Sequence, residues 1–442
     1  METGEFGEFD LYELQNVASK ASNVDVVVTL RLLRDLRTQA FQIGEGGSIL
    51  GSCVADADTV YFGCMDRYFY AVDLLTGEEK WRLKTDDSNA GSPSMAKDKI
   101  YFGSYDQHVY CIGLNGRVLW RFRTRDKVFS TPAVHKDCVF FGSEDHNLYA
   151  VDAGTGSMLW KFKTHAPIAA NPFIYKETVY CGSFDQNMYA LDLNGNMLWK
   201  FAARGAANSP TIYRDMLFFG SSDHNLYCLN LAGKLRWKFT TQRPMTQRPP
   251  TIHNDMIYFG CRDNNLYAID IDGKLKWRFR TQDMIKSYPV VNPKKRALYF
   301  GSDDFNLYAL NSETGELIWK YKTDGPIMAV PVYAKGMVLF GSWDSFLYAL
   351  DAETGNPVWR FKTSSSFQSP IEPEIRIETE PFKFIEAGKP RTGLKQDVEE
   401  KMEGASYGVM KTSYISEEEV IDIGSLATIS KSYGGFGGKK YR

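Results

Sequence analysis

From about residue 45 to residue 363 the chain repeats a single hydropathic pattern, with short apolar–polar alternating runs separated by Gly, Asp, Asn and Pro. Alternation with a period of two marks strands that bury one face. The clearest run carries a tryptophan, then a basic residue, then usually Phe, as in Trp160-Lys161-Phe162-Lys163-Thr164 and Trp277-Arg278-Phe279-Arg280-Thr281. It recurs at Trp81, Trp120, Trp160, Trp199, Trp237, Trp277, Trp319 and Trp359, at intervals of 38 to 42 residues; the ninth, Trp343, falls elsewhere in the unit. Upstream of each lies a block of the form Tyr/Phe-Gly-Ser/Cys-x-Asp-x-x-Leu-Tyr-Ala-Leu-Asp, whose aspartates are Asp66, Asp106, Asp145, Asp185, Asp223, Asp263, Asp304 and Asp344.

A turn such as Thr354-Gly355, Asn115-Gly116 or Asp272-Gly273 separates the two blocks, and Asn-Gly and Asp-Gly are hairpin signals because tight turns require positive φ. A shorter fourth segment surrounds a proline at Pro93, Pro132, Pro172, Pro210, Pro250, Pro289 and Pro331. Four strands in about 40 residues make a propeller blade. An isolated blade cannot cover both its faces, so tandem units close into a ring. The expected fold class is all-β: an eight-bladed β-propeller of four-stranded antiparallel blades over residues 45–363. The aspartates of the GSxD block are expected to form Asx-type turns. Blade one lacks the proline and carries Ser52-Cys53 in its place, while Ser369-Pro370 resembles the start of another inner strand. Ring closure therefore has two candidate ends.

The run GSxDxxLYALDxxTGxxxW, intact from Gly341-Ser342-Trp343-Asp344 through Leu347-Tyr348-Ala349-Leu350-Asp351 to Thr354-Gly355 and Trp359, resembles the pyrroloquinoline-quinone-like propeller repeat. The resemblance covers roughly residues 45–363 and implies that the eight recurrent tryptophans dock neighbouring blades. The family includes the eight-bladed lipoprotein subunit of the bacterial outer-membrane assembly machinery, an interaction scaffold. It also includes quinone-dependent dehydrogenases. Those enzymes need a quinone, a hard cation and an Asp base, and many carry a vicinal disulfide; here there is no Cys-Cys pair, and the repeats vary too little to hold large insertions.

The flanks lack the repeat. Residues 1–44 suggest a helix capped by Asn23 or Asp25, with Val27, Leu30, Leu33 and Leu36 in a stripe that packs on the ring or on an oligomer partner. Residues 364–415 read as a linker rich in Glu, Lys, Pro and Gly. In residues 416–442 a capping box at Ser416 to Glu419 precedes a short amphipathic helix and a basic tail. The start of the chain lacks the basic-then-apolar order of a secretory signal, and no run suggests a membrane span. The net charge of −2 provides no general attraction to nucleic acid. Cys53, Cys64, Cys111, Cys138, Cys181, Cys228 and Cys261 are odd in number and scattered, and several replace Ser or Ala of sister repeats. They read as buried thiols in a reducing, cytoplasmic setting.

Neither a catalytic constellation nor a cofactor or metal site is expected. The Asp270-Ile271-Asp272-Gly273 stretch lacks the rest of a calcium loop. Lys or Arg after each Trp protects exposed strand edges rather than forming a nucleic-acid girdle. Structural demands repeat, whereas functional ones need not, so a specific site should show as departures from the repeat. The most variable segments link each outer strand to the next inner strand and cluster at one channel mouth. They nominate Lys127, Phe129, Arg243, Met245, Gln247, Arg248, Met284, Lys286 and Met328 as a rim for an acidic, partly apolar protein segment. The expected function is a non-enzymatic interaction scaffold with protein partners. A ligand-sensing regulatory propeller is the alternative, and small-molecule binding stays open.

Overall fold

The computed structural model describes residues 47–363, and these form eight four-stranded sheets, each built from four consecutive strands. The first blade runs from β1 (Val54–Ala55) through β2 (Thr59–Gly63) and β3 (Tyr68–Asp73) to β4 (Glu79–Lys84), and the last from β29 (Val332–Ala334) to β32 (Pro357–Lys362). This is the eight-bladed antiparallel propeller that the repeat predicts. Both expected terminal helices, and Ser369-Pro370, lie outside the described residues. In blades two to eight the proline-led segment gives the innermost strand, short in all but blade five, and in every blade the Trp-bearing segment gives the outermost. The outer strands bear out the period-two reading: β24 (Leu275–Arg280) half-buries Trp277 and Phe279, while Lys276, Arg278 and Arg280 are exposed.

The blades are joined by one contact repeated around the ring. The glycine of each turn before an outer strand has φ between +72° and +85° and lies against the tryptophan of the preceding blade. A Cβ on Gly195 would stand 2.7 Å from Cδ2 of Trp160, and one on Gly77 would stand 2.6 Å from Cε3 of Trp359. The indole N–H then donates to a backbone carbonyl of that next blade, as Trp160 does to Leu193 at 2.8 Å and Trp359 to Leu74 at 3.0 Å. Trp277 is the exception: its Nε1 is buried without an acceptor, and the equivalent carbonyl, of Ser312, accepts the Tyr258 hydroxyl instead. The glycine turns are tightened by a register shift in each outer pair, which skips one residue of the outer strand (Ala190 pairs with Trp199 and Leu191 with Met197). Only the glycine takes positive φ there. Turns with two successive positive-φ residues occur instead between the first two strands, at Lys176-Glu177, Arg214-Asp215 and Asn254-Asp255. Those sequences carry no glycine signal.

The GSxD aspartates form the expected Asx turns and also staple the seams. Asp185 Oδ1 accepts the Asn187 N–H at 3.1 Å, and Oδ2 accepts the Tyr189 hydroxyl at 2.7 Å. The same Oδ2 accepts the His165 N–H, from the segment that leaves the preceding blade, at 3.1 Å. The ring closes through its N-terminal side. Ile49 N–H donates to Ser342 O and Met65 N–H to Ser48 O, while Thr363 Oγ1 lies 2.8 Å from Gly47 O. Residues 47–49 thus stand in for the segment that links blades elsewhere in the ring.

Substitution of the docking glycine tests this account. Gly195→Ala combines a left-handed φ with a clash against Trp160, and is expected to destabilise by about 2–4 kcal/mol. Gly336 has φ +81° with nothing within 4 Å of an added Cβ. Gly336→Ala therefore costs only about 1 kcal/mol, the conformational part alone. Urea unfolding of the two variants distinguishes these contributions, and equal losses would show that the indole contact is slack.

Candidate functional site

The variable segments all emerge at one end of the ring, and each is pinned twice. Val128, Ile168, Ala207, Met245, Ile285 and Ile327 donate their N–H groups to Ser104, Ser143, Ser183, Ser221, Cys261 and Ser302 of the preceding blades. The residue before each anchor can also accept an N–H from the x residue of the next GSxD, as Lys127 accepts from Glu144 and Pro326 from Trp343. Beyond the anchor, the chain turns over the channel mouth towards the proline of the next inner strand.

Three residues span that turn in most seams, as Ala169, Ala170 and Asn171 do between Ile168 and Pro172. The seam between blades four and five has two, Asn208 and Ser209, and the next seam has four, Thr246 to Pro249. The shorter turn holds the longer one. Asn208 Nδ2 donates to Thr246 O at 2.6 Å, and Ser209 Oγ donates to Gln247 O at 3.0 Å. The additional length carries Arg248 across the mouth. Its guanidinium lies 5.8 Å from the Phe129 ring centroid and 3.4 Å from Leu50 O, groups held by two other seams. Tyr288, from a fourth seam, also feels this cation: burial pushes its hydroxyl pKa up, and Arg248 pulls it down.

The other nominated residues take separate places on the same face. Lys127 has its ammonium 5.1 Å from the Tyr105 ring centroid, and Lys286 forms an ion pair with Asp303 at 2.5 Å. Arg243 is exposed; Gln247, Met284 and Met328 are partly buried. Met245 does not reach the open surface, being 4% exposed and packed against Gly220. It is the anchor of its seam, in the position that Ile occupies at Ile168, Ile285 and Ile327, and its apolar bulk is needed in the wall.

The x position of GSxD supplies residues that the segment-by-segment reading passed over. Met65, Tyr105, Glu144, Phe184, Ser222, Arg262, Asp303 and Trp343 differ from blade to blade within an otherwise constant block. They surround the mouth because their backbone is tied to the variable segments. The isolated ninth tryptophan, Trp343, was the available signal. Glu144 is 8% exposed, with Oε1 lacking a hydrogen-bond partner. Burial pushes its carboxyl up to about 7; Asp126 adds to the rise and Lys127 opposes it.

Chemically, the mouth presents guanidinium and ammonium groups interleaved with aromatic and thioether surface. A quinone with a hard cation does not fit it, because the Arg248 guanidinium crosses the space and would repel a divalent ion. Among the described residues no group of three His, Cys, Asp or Glu side chains is gathered for a metal. All seven cysteines are free, and burial pushes thiols such as Cys111 and Cys261 up to about 11, so they are poor nucleophiles at neutral pH.

Residues 35–256 match the family model described as the β-propeller of the beta-alanine-activating enzyme, and residues 262–378 match that of outer membrane protein assembly factor BamB. Two similar solved structures share the fold at low identity. The computationally designed Ika8 protein aligns with a TM-score of 0.61 at 16% identity, covering 68% of this chain and 95% of its own. BamB from Moraxella catarrhalis aligns with a TM-score of 0.56 at 16% identity, covering 72% of this chain and 96% of its own. No curated protein matches the chain in sequence.

The raised carboxyl of Glu144 makes stability pH-dependent. Below the ordinary carboxylate range both folded and unfolded chains hold its proton, and the contribution is fully present. As pH rises from about 4.5 to about 7 the unfolded chain releases the proton first, and the contribution is lost, by no more than about 3 kcal/mol. Glu144→Gln is therefore expected to melt higher than the parent at pH 8 and alike at pH 4.5. Parallel melting curves across that range would contradict the assignment.

Proposed function

We propose that this chain, which belongs to the family of the beta-alanine-activating enzyme β-propeller, uses its ring as a non-catalytic scaffold that captures an acidic, partly apolar segment of a protein partner at the variable mouth. The observation that carries this reading is the gathering of Phe129, Leu50 and Tyr288, from three other seams, around the Arg248 guanidinium. The repeat alone does not require them there. Lys127 on Tyr105, Lys286 on Asp303 and the exposed Arg243 and Arg262 extend a cationic and aromatic surface around that point. Arg and aromatic residues are the side chains that dominate protein interfaces.

The activation of β-alanine belongs to the enzyme whose propeller lends the family its description, and we assign no catalytic step to this ring. BamB is by name an assembly factor, a role that accords with holding partners rather than transforming them. A cytoplasmic setting belongs to the same reading, since seven scattered, mostly buried thiols offer no disulfide framework.

Charge reversal tests the mouth. The double variant Arg248→Glu with Lys286→Glu is expected to weaken capture of the partner from native extract by about tenfold or more. Arg243→Glu with Arg262→Glu reverses two exposed cations, and should weaken capture with little change in melting temperature. Full capture by both double variants would overturn the proposal.

A further inference from the structure

At the end of the ring opposite the variable mouth, the turns between the first and second strands form a directional circuit of ion pairs from blade two to blade six. The cation of one turn meets the acid of the next. Lys97 pairs with Asp137 at 3.9 Å, Lys136 with Glu177 at 2.6 Å, Lys176 with Asp215 at 2.7 Å and Arg214 with Asp255 at 2.9 Å. The register comes from the repeat itself, since each turn of blades two to five holds a basic residue followed by an acidic one.

The circuit stops at blade six, where Asn254 takes the cation's place, and it does not resume. Blade seven enlarges its turn to Pro293-Lys294-Lys295-Arg296, all exposed, between β25 (Val290–Asn292) and β26 (Ala297–Gly301). Blade eight has Lys335-Gly336, so the acid due to receive a blade-seven cation is missing. Lys295 turns instead to Glu353 and Arg296 to Glu313, both from other turns. Lys335 in turn should meet an acid of blade one, but both candidates are engaged. Asp56 accepts the N–H groups of Asp58 and Thr59 and the Tyr61 hydroxyl, and Asp58 pairs with Lys80 at 3.3 Å. Lys294 and Lys335 are thereby left exposed at one seam.

The same seam breaks the apolar pattern. The middle residue of the innermost strand is aliphatic in the sister blades, as at Val134, Ile174, Ile212, Ile252 and Val291, each paired across to the second strand. In β29 it is Tyr333, paired with Val338 and 40% exposed. Tyr333 also acts electrostatically on Lys295, whose ammonium is held up chiefly by its hydrogen bond to Glu353.

We propose that this seam, between blades seven and eight, is a second docking surface, and that its occupant is an acidic peptide segment whose carboxylates meet Lys294 and Lys335 while its backbone and apolar atoms cover Tyr333. The charge complementarity is local: a few cations on two adjacent turns beside one ring suit a short segment and are too compact to track a nucleic-acid backbone. The surface stands independently of the variable mouth, and with it would let one ring hold two partners.

The test uses the full chain and a fluorescein-labelled peptide of about eight glutamates carrying one photo-crosslinking phenylalanine. Crosslinks are expected at residues 293–296 and 333–335. Anisotropy should show affinity falling by about tenfold in the variant Lys294→Glu with Lys335→Glu, and falling less in Tyr333→Ala, with melting temperatures unchanged. The mouth variant Arg248→Glu with Lys286→Glu should keep these crosslinks, which separates failure here from failure of the mouth. Crosslinks confined to the other end, unchanged affinity in Lys294→Glu with Lys335→Glu, or stronger competition by a single-stranded oligonucleotide of equal charge would overturn the proposal.

Discussion

The contact between each tryptophan and the glycine of the next blade is the constraint on which the rest of the structure depends. A four-stranded blade leaves two apolar faces, and only a neighbour at the right angle covers both. The indole lies on a turn that no side chain larger than hydrogen can occupy, so the approach distance is the same at every seam. The glycine must also hold φ near +77°, as at Gly233, so the turn and the docking demand the same residue. The indole N–H adds a directional bond where an acceptor stands, and its absence at Trp277 shows that the stacking contact persists without it. The aspartate staples act at the other end of the same seams, with a single carboxylate joining its own turn, its own tyrosine and the incoming segment.

Once the seams are alike, the ring can absorb irregularity only where neither tryptophan nor aspartate reaches. The turns over the channel mouth meet that condition. One turn a residue short and its neighbour a residue long are taken up by a register shift between Ala207 and Pro210, and Asn208 and Ser209 bond the excess back to the ring. The cost is a chain excursion into the channel, and its product is Arg248 in reach of three other seams. At the far end, the enlarged turn of blade seven is absorbed in the same way, by exposed residues with no sheet partner.

The sequence made the ring legible because every device that builds it recurs: tryptophan, glycine, aspartate and proline at constant spacing. It also nominated the variable segments, since Lys127, Phe129, Arg248 and Lys286 depart from the pattern. Three things were not legible. Met245 reads as a surface methionine beside Arg243 and Gln247, yet it is the buried anchor of its seam, and only the register of the longer turn reveals this. The x position of GSxD hides its variation inside the most constant block, so Glu144 and Tyr105 draw no notice. Ring closure by Gly47 to Ile49 depends on contacts about 300 residues apart, between Ile49 and Ser342 and between Gly47 and Thr363, which no local pattern encodes.

The proposed scaffold contacts its partners through departures from the repeat rather than through the repeat itself. Hydrogen exchange of the full chain, alone and with the protein it captures from native extract, tests this most directly. Protection on binding is expected in residues 124–132, 241–250 and 281–289, with the outer strands unchanged. Protection confined to the Trp-bearing outer strands would contradict it and move the interface to the flank of the ring.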